Sequence, residues 1–254
     1  MNKIIAGENI VKSFGAGEEK RRVLDGVSVD IHEGEFVAVM GPSGSGKSTL
    51  LFALSGMDGL DAGKVIFDGQ DLAALRENEL ADIRRTKMGF VFQQPTLLKN
   101  LNILDNIILP SMRDQRGKNG QVVTKARSLM QRADIAELEK RDITQVSGGQ
   151  LQRVGICRAL MRQPKIIFGD EPTGALNSKA ANEIMGLLAE IHRSGTTILL
   201  VTHDVKVAAK TERVLCMFDG KIAGEYLAGA YDEEGDDLKA REERLTSWLA
   251  EMKY

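Results

Sequence analysis

The chain has 254 residues, of which 43% are hydrophobic and 28% are charged. This composition is normal for a folded globular protein and argues against a disordered, collagen-like or fibrous chain. Because 34 basic residues face 36 acidic ones, the net charge of −2 gives no global positive field for nucleic acid or an anionic membrane. We therefore expect no nucleic-acid partner and only local binding of any polyanion.

The sequence also limits where the chain is expected to reside. No apolar stretch approaches the roughly 20 residues of a membrane-spanning helix. The first residues carry no extended apolar leader, so we expect the chain to stay in the cytoplasm. Cys157 and Cys216 lack metal-ligand spacing and are too few for a disulfide framework, which predicts reduced thiols that fill apolar gaps.

The first predicted elements are strands. Apolar residues alternate over 27–31, which is typical of a half-buried strand, and the continuous apolar run 36–40 indicates a strand buried on both faces. A short hairpin follows, in which residues 65–67 precede the turn pair Asp68-Gly69. These patterns predict a sheet with antiparallel additions.

Between about residues 93 and 163 the apolar spacing becomes helical. The spacing is clearest in one group: Ala126, Leu129, Met130 and Ala133. A charged loop that contains glycine interrupts the pattern at 113–120. We interpret this region as a helical subdomain inserted into an α/β core.

The second half of the chain alternates strands and helices. Apolar runs at 165–168 and 197–201 predict buried parallel strands, with a helix over 178–192 between them. A further antiparallel hairpin is predicted at 214–222, around the turn pair Asp219-Gly220. This alternation is typical of a sheet with helices packed on its faces.

The last part of the chain differs in composition from the rest. Residues 231–237 are rich in acidic side chains, and the pattern over 238–252 predicts an amphipathic helix. We expect that helix to dock on the parent domain. The chain is thereby divided into a domain at 1–230, which carries the inserted helical subdomain, and a C-terminal segment at 231–254.

A glycine-rich loop follows the strand at 36–40 and opens a helix, with the sequence Gly41-Pro42-Ser43-Gly44-Ser45-Gly46-Lys47-Ser48-Thr49. Its glycines allow backbone N–H groups to point at phosphate oxygens, and the helix N-terminus adds partial positive charge. Lys47 supplies a full charge, and the Ser48 hydroxyl can bind Mg²⁺. This context predicts a nucleoside triphosphate as ligand. It also predicts a phosphate-loop α/β fold with a mixed, mainly parallel sheet, an antiparallel β subdomain and the inserted α-helical subdomain.

Two adjacent carboxylates, Asp170 and Glu171, end a predicted buried strand. The carboxyl ends of strands are where open parallel sheets bind their ligands. Because neighbouring side chains point in different directions there, we expect Asp170 to reach Mg²⁺, directly or through water. Glu171 is expected to face the γ-phosphate and to polarise the attacking water as a general base. The alternative is an acidic pair that only caps the next element.

A second glycine turn, Ser147-Gly148-Gly149-Gln150, precedes a predicted helix at 151–162 and offers a second anion site. A triphosphate held by the first loop leaves little room for another helix N-terminus from the same chain. We therefore predict a symmetric dimer in which the turn of each chain covers the γ-phosphate held by the other. Taken alone, such a turn is more often a simple helix cap.

These motifs, together with Gln93 and Thr202-His203-Asp204, appear in an order that resembles the ATP-binding cassette ATPases over nearly the whole chain. The resemblance implies an ATPase that uses ATP and Mg²⁺ and works as a homodimer. It also implies that Phe14 stacks on adenine. By the same likeness, Gln93 would contact Mg²⁺ and the water, and His203 would donate a hydrogen bond to the γ-phosphate.

Two positions depart from the family pattern. Val146 precedes the second glycine turn where leucine is usual, which is a conservative change with little expected effect. Asn177 stands where the family generally has aspartate at the dimer seam. Asparagine keeps a carbonyl acceptor but loses the charge, so we expect a change in the coupling of the two ATP sites or in turnover. Glu171 and His203 remain, so hydrolysis itself is expected.

The sequence contains one phosphate loop and one Ser147 turn, and no long heptad insertion separates them. This disfavours the two-cassette translation factors and the chromosome-maintenance branch. It favours a separate ATPase subunit that binds an integral membrane permease at the cytoplasmic face of the membrane. The segment after Gln93 and the helical subdomain are where we expect the permease to dock.

Smaller details indicate a subgroup. The run 88–94 resembles the lipoprotein-release and macrolide-efflux group. Residues 171–176 and the closing Trp248-Leu249 are most similar to its bacitracin and lantibiotic-resistance branch, which implies resistance to antimicrobial peptides or their export. The alternatives are lipoprotein release, macrolide efflux, cell division, or an ATPase for signalling or DNA processing that needs no membrane partner.

Overall fold

The computed structural model describes residues 2–114, 119–232, 235 and 237–252. The predicted loop at 113–120 and the acid-rich segment 231–237 therefore lie partly outside the described residues. The strands, in chain order, are β1 (Lys3–Phe14), β2 (Arg21–His32), β3 (Phe36–Met40), β4 (Ala62–Phe67), β5 (Gln70–Asp71), β6 (Met88–Phe92), β7 (Ile166–Asp170), β8 (Thr197–Val201), β9 (Arg213–Phe218) and β10 (Lys221–Leu227). The α-helices are α1 (Lys47–Leu54), α2 (Glu77–Lys87), α3 (Ile103–Ile108), α4 (Asn119–Arg132), α5 (Gly148–Leu160), α6 (Ser178–Arg193), α7 (Val205–Ala208) and α8 (Leu238–Glu251).

The strands form two sheets. The larger one has the order β10-β9-β3-β8-β7-β6, and its strands run parallel except for β10. The smaller one is antiparallel, with the order β2-β1-β4-β5. Helices α3, α4 and α5 fall within the region predicted to be a helical subdomain. The predicted fold class, a mainly parallel core with an antiparallel β subdomain and an α-helical subdomain, is confirmed.

Strand β3 shows how the sequence builds the core on both faces of the larger sheet. All five of its residues are buried, as the unbroken apolar run predicts. Phe36, Ala38 and Met40 belong to the apolar cluster shared with α5 and α6. Val37 and Val39 belong to the cluster shared with α1 and the antiparallel sheet. Since neighbouring side chains in a strand point to opposite faces, one short run joins two cores.

The hairpin predicted at 214–222 is present, but its place in the fold differs from the prediction of an antiparallel addition. Strand β9 pairs in parallel with β3, so it lies inside the larger sheet, and only β10 is antiparallel. The reason is that pairing between distant segments depends on the whole sheet, whereas a hairpin signal is local.

Helix α8 docks on the parent domain as expected. Leu245 and Leu249 are buried in the cluster that also contains Val207 and Ala208 of α7. None of the helices in the described ranges combines the length and the apolar character that crossing a bilayer requires.

Both cysteines are free and buried, which confirms the prediction of thiols in apolar gaps. Burial raises the pKa of the Cys157 thiol to about 12, against opposing effects of Arg132 and Arg153. Burial also raises the pKa of Cys216. Both thiols are therefore protonated and poorly reactive near neutral pH.

Candidate active site

The phosphate loop connects the buried end of β3 to the start of α1 and is pressed against neighbouring backbone. A Cβ atom at Gly41 would collide with the carbonyl oxygen of Met217, and φ at Gly41 is 154°. At Gly46, with φ at 101°, a Cβ atom would lie 2.8 Å from the Val23 carbonyl oxygen. Only glycine fits at these two positions, because the loop needs both the close approach and the backbone angles.

Lys47 folds back onto this loop. Its Nζ donates to the carbonyl oxygens of Gly41 at 2.8 Å and Pro42 at 2.9 Å, and the residue is only 8% exposed. Burial lowers the pKa of Lys47, while the nearby charges of Glu171 and Asp170 act in the opposite direction. A cation that is largely removed from water has a strong electrostatic preference for an anionic ligand.

Asp170, at the carboxyl end of β7, meets the phosphate loop directly. The Ser48 hydroxyl donates to Asp170 Oδ1 at 2.7 Å. Burial raises the pKa of Asp170, and the charge of Glu171 adds to that rise, whereas the Ser48 hydrogen bond and the Lys47 charge lower it. The pair places a hydroxyl and a carboxylate oxygen side by side beneath the loop.

Glu171 takes a different direction from its neighbour. Its φ is 48°, in the left-handed region that is uncommon for residues other than glycine, and its N–H donates to the Val201 carbonyl at 3.0 Å. Its Oε1 lies 3.0 Å from Nδ1 of His203, which follows β8. Two adjacent carboxylates thus contact two different partners, one on the phosphate loop and one at the end of β8.

Gln93 also lies close to this group. A Cβ atom at Gly174 would be 3.0 Å from Gln93 Nε2 and 3.1 Å from Glu171 Oε2. The absence of a side chain at Gly174 therefore leaves room for the polar ends of both Gln93 and Glu171. Sequence reasoning did not identify Gly174 as a site residue, because its importance comes from a contact with Gln93, which follows β6.

A cavity of about 770 Å³ extends from these residues along the phosphate loop. Its lining includes residues of the phosphate loop and of the carboxylate site: Ser43, Gly44, Gly46, Lys47, Ser48, Thr49, Glu171 and His203. Phe14 lines the same cavity, is 46% exposed, and carries the Lys12 ammonium group 5.2 Å from its ring centroid. The cavity is large enough for a nucleotide-sized ligand.

Other lining residues were not predicted: Arg21, Arg22, Val23, Asp219 and Gly220. The first three belong to β2 next to Phe14, since Phe14 pairs with Arg21 in the antiparallel sheet. The last two form the turn of the β9–β10 hairpin, and Gly220 N donates to the Ser45 carbonyl at 3.1 Å. A correct prediction of β1 would have identified the first group. The pair Asp219-Gly220 was predicted as a turn, but no local signal indicates its contact with the phosphate loop.

The second glycine turn lies elsewhere. Ser147 caps α5 in a reciprocal box, in which its hydroxyl accepts from Gln150 N at 3.3 Å and its N–H donates to Gln150 Oε1 at 2.9 Å. Gly148 and Gly149 line a separate cavity of about 520 Å³ with Asn177. Asn177 caps α6, since its Oδ1 accepts from Ala180 N at 2.9 Å. None of these residues is among those lining the cavity of the phosphate loop.

The fold and the site define a nucleotide-binding domain of the phosphate-loop class. A family model described as ABC transporter matches residues 24–174, and the chain belongs to that family. The predicted resemblance to the ATP-binding cassette ATPases is therefore confirmed.

Individual relatives place the chain more narrowly. It is 40% identical over 237 residues to a macrolide export ATP-binding/permease protein of Chlorobaculum tepidum, an alignment that covers 93% of this chain and 34% of the relative. An uncharacterized ABC transporter ATP-binding protein of Methanocaldococcus jannaschii is 41% identical over 219 residues, covering 86% of this chain and 97% of the relative. The resemblance to the macrolide-efflux group is thus confirmed, whereas the bacitracin and lantibiotic branch stays a prediction. The chain spans about a third of the length of the macrolide export relative.

Solved structures agree with this assignment. A dimeric ATP-binding cassette in a post-hydrolysis state, bound to ADP and Pi, superposes with a TM-score of 0.83 at 39% identity. The match covers 89% of this chain and all of that chain, 100%.

Proposed function

We propose that the chain hydrolyses ATP as one of two identical subunits that drive an integral membrane permease, at the cytoplasmic face of the membrane. The observation that carries the proposal is the arrangement around Asp170 and Glu171. One carboxylate meets Ser48 at 2.7 Å and the other meets His203 at 3.0 Å, beside a phosphate loop. The two carboxylates would thus have different roles, metal binding by Asp170 and proton transfer by Glu171.

ATP binding would use the groups that line the phosphate-loop cavity. Backbone N–H groups of the loop from Gly41 to Thr49 and the Lys47 ammonium group would hold the phosphates, with Lys47 exchanging its carbonyl partners for phosphate oxygens. Phe14 would stack on the adenine ring. The exposure of the Phe14 ring, which also lines this cavity, supports this role.

The residues present fit a magnesium ion. Mg²⁺ prefers hard oxygen ligands and is usually held by one or two carboxylates together with substrate phosphates. The adjacent Ser48 hydroxyl and Asp170 carboxylate supply such oxygens. Gln93, whose amide lies beside Gly174 as Glu171 does, would add an amide carbonyl. Bound there, the ion would neutralise charge on the phosphate oxygens. Among the described residues no group of three or more His, Cys, Asp or Glu side chains is placed to hold a metal ion. Phosphate oxygens of the nucleotide would supply further ligands.

Glu171 would act as the general base. Its carboxylate would accept a proton from the water that attacks the γ-phosphorus, with Gln93 helping to orient that water. His203 would hydrogen-bond the γ-phosphate, and its contact with Glu171 supports a role for the two side chains as one unit. The left-handed backbone at Glu171 supports a functional constraint on its direction.

The Ser147 turn would complete the site of a second copy. Its exposure and its separation from the phosphate loop support a symmetric dimer in which two ATP molecules lie between opposite halves. Hydrolysis would remove the bridge between the halves, and the dimer would open.

Permease docking is supported by a groove beside β6. Its lining combines apolar and basic side chains: Met57, Arg84, Arg85, Met88, Phe90, Phe92, Pro110, Arg158 and Arg162. Arg158 donates to the Thr96 carbonyl at 2.6 Å and so ties α5 to the segment that follows Gln93. Movement at Gln93 would reach the groove through this bond. We propose antimicrobial peptides of the bacitracin or lantibiotic type as the compounds handled, with macrolides as the alternative that the named relatives favour.

A mixing experiment tests the dimer. Lys47→Ala and Ser147→Arg chains should each lack ATPase activity alone. When they are mixed in equal amounts, half of the dimers pair the two variants, and each of these has one intact site out of two. About a quarter of wild-type activity is then expected if the sites act independently. No recovery, together with activity of wild type as a monomer, would refute the proposal.

A second experiment tests the transport assignment. ATP turnover of the chain is measured with and without the permease encoded beside it, in the presence of bacitracin, a lantibiotic or a macrolide. Stimulation by the permease and a peptide supports the proposed class. Stimulation by the macrolide alone would favour macrolide efflux, and turnover that no membrane protein changes would favour a module without a membrane partner.

A further inference from the structure

We infer that the C-terminal helix α8 positions His203 for catalysis, and that Arg241 is the positioning residue that holds the helix in place. The inference rests on the proposed function of His203. It concerns a part of the molecule that neither the phosphate loop nor the Ser147 turn includes.

Arg241 lies in the first turns of α8 and is only 5% exposed. Its guanidinium group has five N–H donors, and each finds a backbone carbonyl oxygen. The acceptors form two groups, which are Ala209 at 2.8 Å with Thr211 at 3.1 Å, and Ala228 at 3.0 Å, Gly229 at 2.9 Å and Ala230 at 3.2 Å. One side chain therefore joins α8 to two separate stretches of chain.

The first of these stretches leads directly to His203. Residues 209–211 follow α7, a single helical turn that begins after Asp204. Ala208 N donates to the Asp204 carbonyl at 3.1 Å, and Asp204 N donates to Thr202 Oγ1 at 3.0 Å. A displacement at the carbonyl groups that Arg241 holds would pass through this one turn to the loop that carries His203.

Apolar packing reinforces the same connection. Leu245 and Leu249 of α8 are 1% and 2% exposed, in the cluster that contains Val207 and Ala208. The bonds of Arg241 and the packing of the two leucines thus act on the same end of α7, its C-terminal end. Helix α8 is held by a guanidinium group whose N–H donors are all hydrogen-bonded and by a buried apolar face, so it has little freedom to shift.

Helix α8 also supports the hairpin that reaches the nucleotide cavity. A Cβ atom at Gly224 of β10 would lie 2.6 Å from Met252 Sδ and 3.1 Å from Trp248 Cζ2, so the strand and the end of the helix are in close contact. The turn of this hairpin lines the cavity and bonds the phosphate loop at Ser45. Helix α8 therefore contacts both the hairpin whose turn bonds the phosphate loop and the segment that follows α7.

The test compares steady-state ATP hydrolysis by the full chain with that of Arg241→Ala, Arg241→Lys and Arg244→Ala. Loss of the five hydrogen bonds of Arg241 should lower kcat at least fivefold in Arg241→Ala. KM for ATP should change less than twofold, because the contacts lead to His203. Arg241→Lys keeps the charge but not the five-donor geometry and should recover part of kcat. Arg244→Ala, on the exposed face of α8, is the matched control and should match wild type.

A double-variant comparison separates positioning from general destabilisation. In a His203→Ala background, Arg241→Ala should lower kcat by less than 1.5-fold, because the residue on which it acts is already gone. If the two losses multiply instead, the inference is overturned and the proposed role of His203 stands. If His203→Ala alone leaves kcat unchanged, that role fails and the inference fails with it.

Should Arg241→Ala not fold, Arg241→Lys serves in the same comparison, and an equal loss of kcat with and without His203 overturns the inference.

Discussion

The phosphate loop and the Ser147 turn are both glycine-containing starts of helices, but their surroundings differ. In the phosphate loop, Lys47 is buried and bonded to loop carbonyls, and Ser48 is bonded to Asp170. The Ser147 turn is exposed and is held mainly by its own cap. The difference is the one that the proposed dimer requires, in which each chain would supply a complete phosphate loop and an exposed Ser147 turn for the other chain to meet.

The largest expected effect on ATP turnover comes from a change at Glu171, beside the phosphate loop. Glu171→Gln removes the carboxylate that would accept a proton but keeps the size of the side chain. We expect ATP binding to persist and turnover to fall by about 10²-fold or more. The variant should also accumulate as an ATP-bound dimer, which size-exclusion chromatography with and without ATP would detect. Near-normal turnover would refute the assignment of the base.

The next effect separates the two roles of Ser147. Ser147→Ala removes the cap of α5, which should lower the free energy of unfolding by about 1 kcal/mol. Turnover should fall further, by about tenfold or more, because in the proposed dimer the hydroxyl would also face the ATP of the partner. Asn102→Ala is the matched control, since Asn102 caps α3 by accepting from Asp105 N at 2.8 Å. It should show a similar loss of stability with turnover close to wild type; an equal loss of turnover in both variants would argue against the second role.

A moderate effect is expected from Gly174→Ala. The added methyl group would lie within 3.1 Å of the polar ends of Gln93 and Glu171, so one of the two must move. We expect kcat to fall about fivefold to tenfold, since small misplacements of catalytic groups have large effects on rate. Gly186→Ala in α6 is the control, because nothing lies within 4 Å of a Cβ atom there. Unchanged kcat in Gly174→Ala would show that the contact has no catalytic importance.

The smallest effect is predicted at Asn177, which is expected to lie at the seam of the proposed dimer. Asn177→Asp should leave the thermal midpoint of unfolding unchanged, because aspartate caps a helix as well as asparagine does. Turnover or the Hill coefficient for ATP should change by no more than about threefold, through the restored charge. A change in the thermal midpoint without a change in kinetics would show that the residue acts only within its own chain.

The sequence predicts the features of this fold that depend on neighbouring residues better than those that depend on distant segments. Local signals succeeded: the phosphate loop, the buried run of β3, the helix α6 and the two hairpins all occur where expected. Strand β1 was missed, because Asn9 has φ of 49° and register shifts interrupt its pairing, so it carries no clean alternation. Strand β6 and helix α2 were also not predicted.

For the candidate site, the motifs located the phosphate loop, the carboxylate pair, Gln93 and His203. The contacts between them were less accessible to prediction. Gly174 beside Gln93, and the turn Asp219-Gly220 beside Ser45, join segments that are distant in the sequence. Such contacts depend on how β6, β7 and β9 are ordered in the sheet, and that order is set by packing across the whole fold.

The burial of both thiols has a practical consequence. Because Cys157 and Cys216 are shielded and protonated, a cysteine introduced at an exposed position such as Lys179 would be the preferred target of a maleimide dye. Two copies labelled in this way would report their separation by energy transfer. Opening and closing could then be followed in real time, with both native thiols left in place.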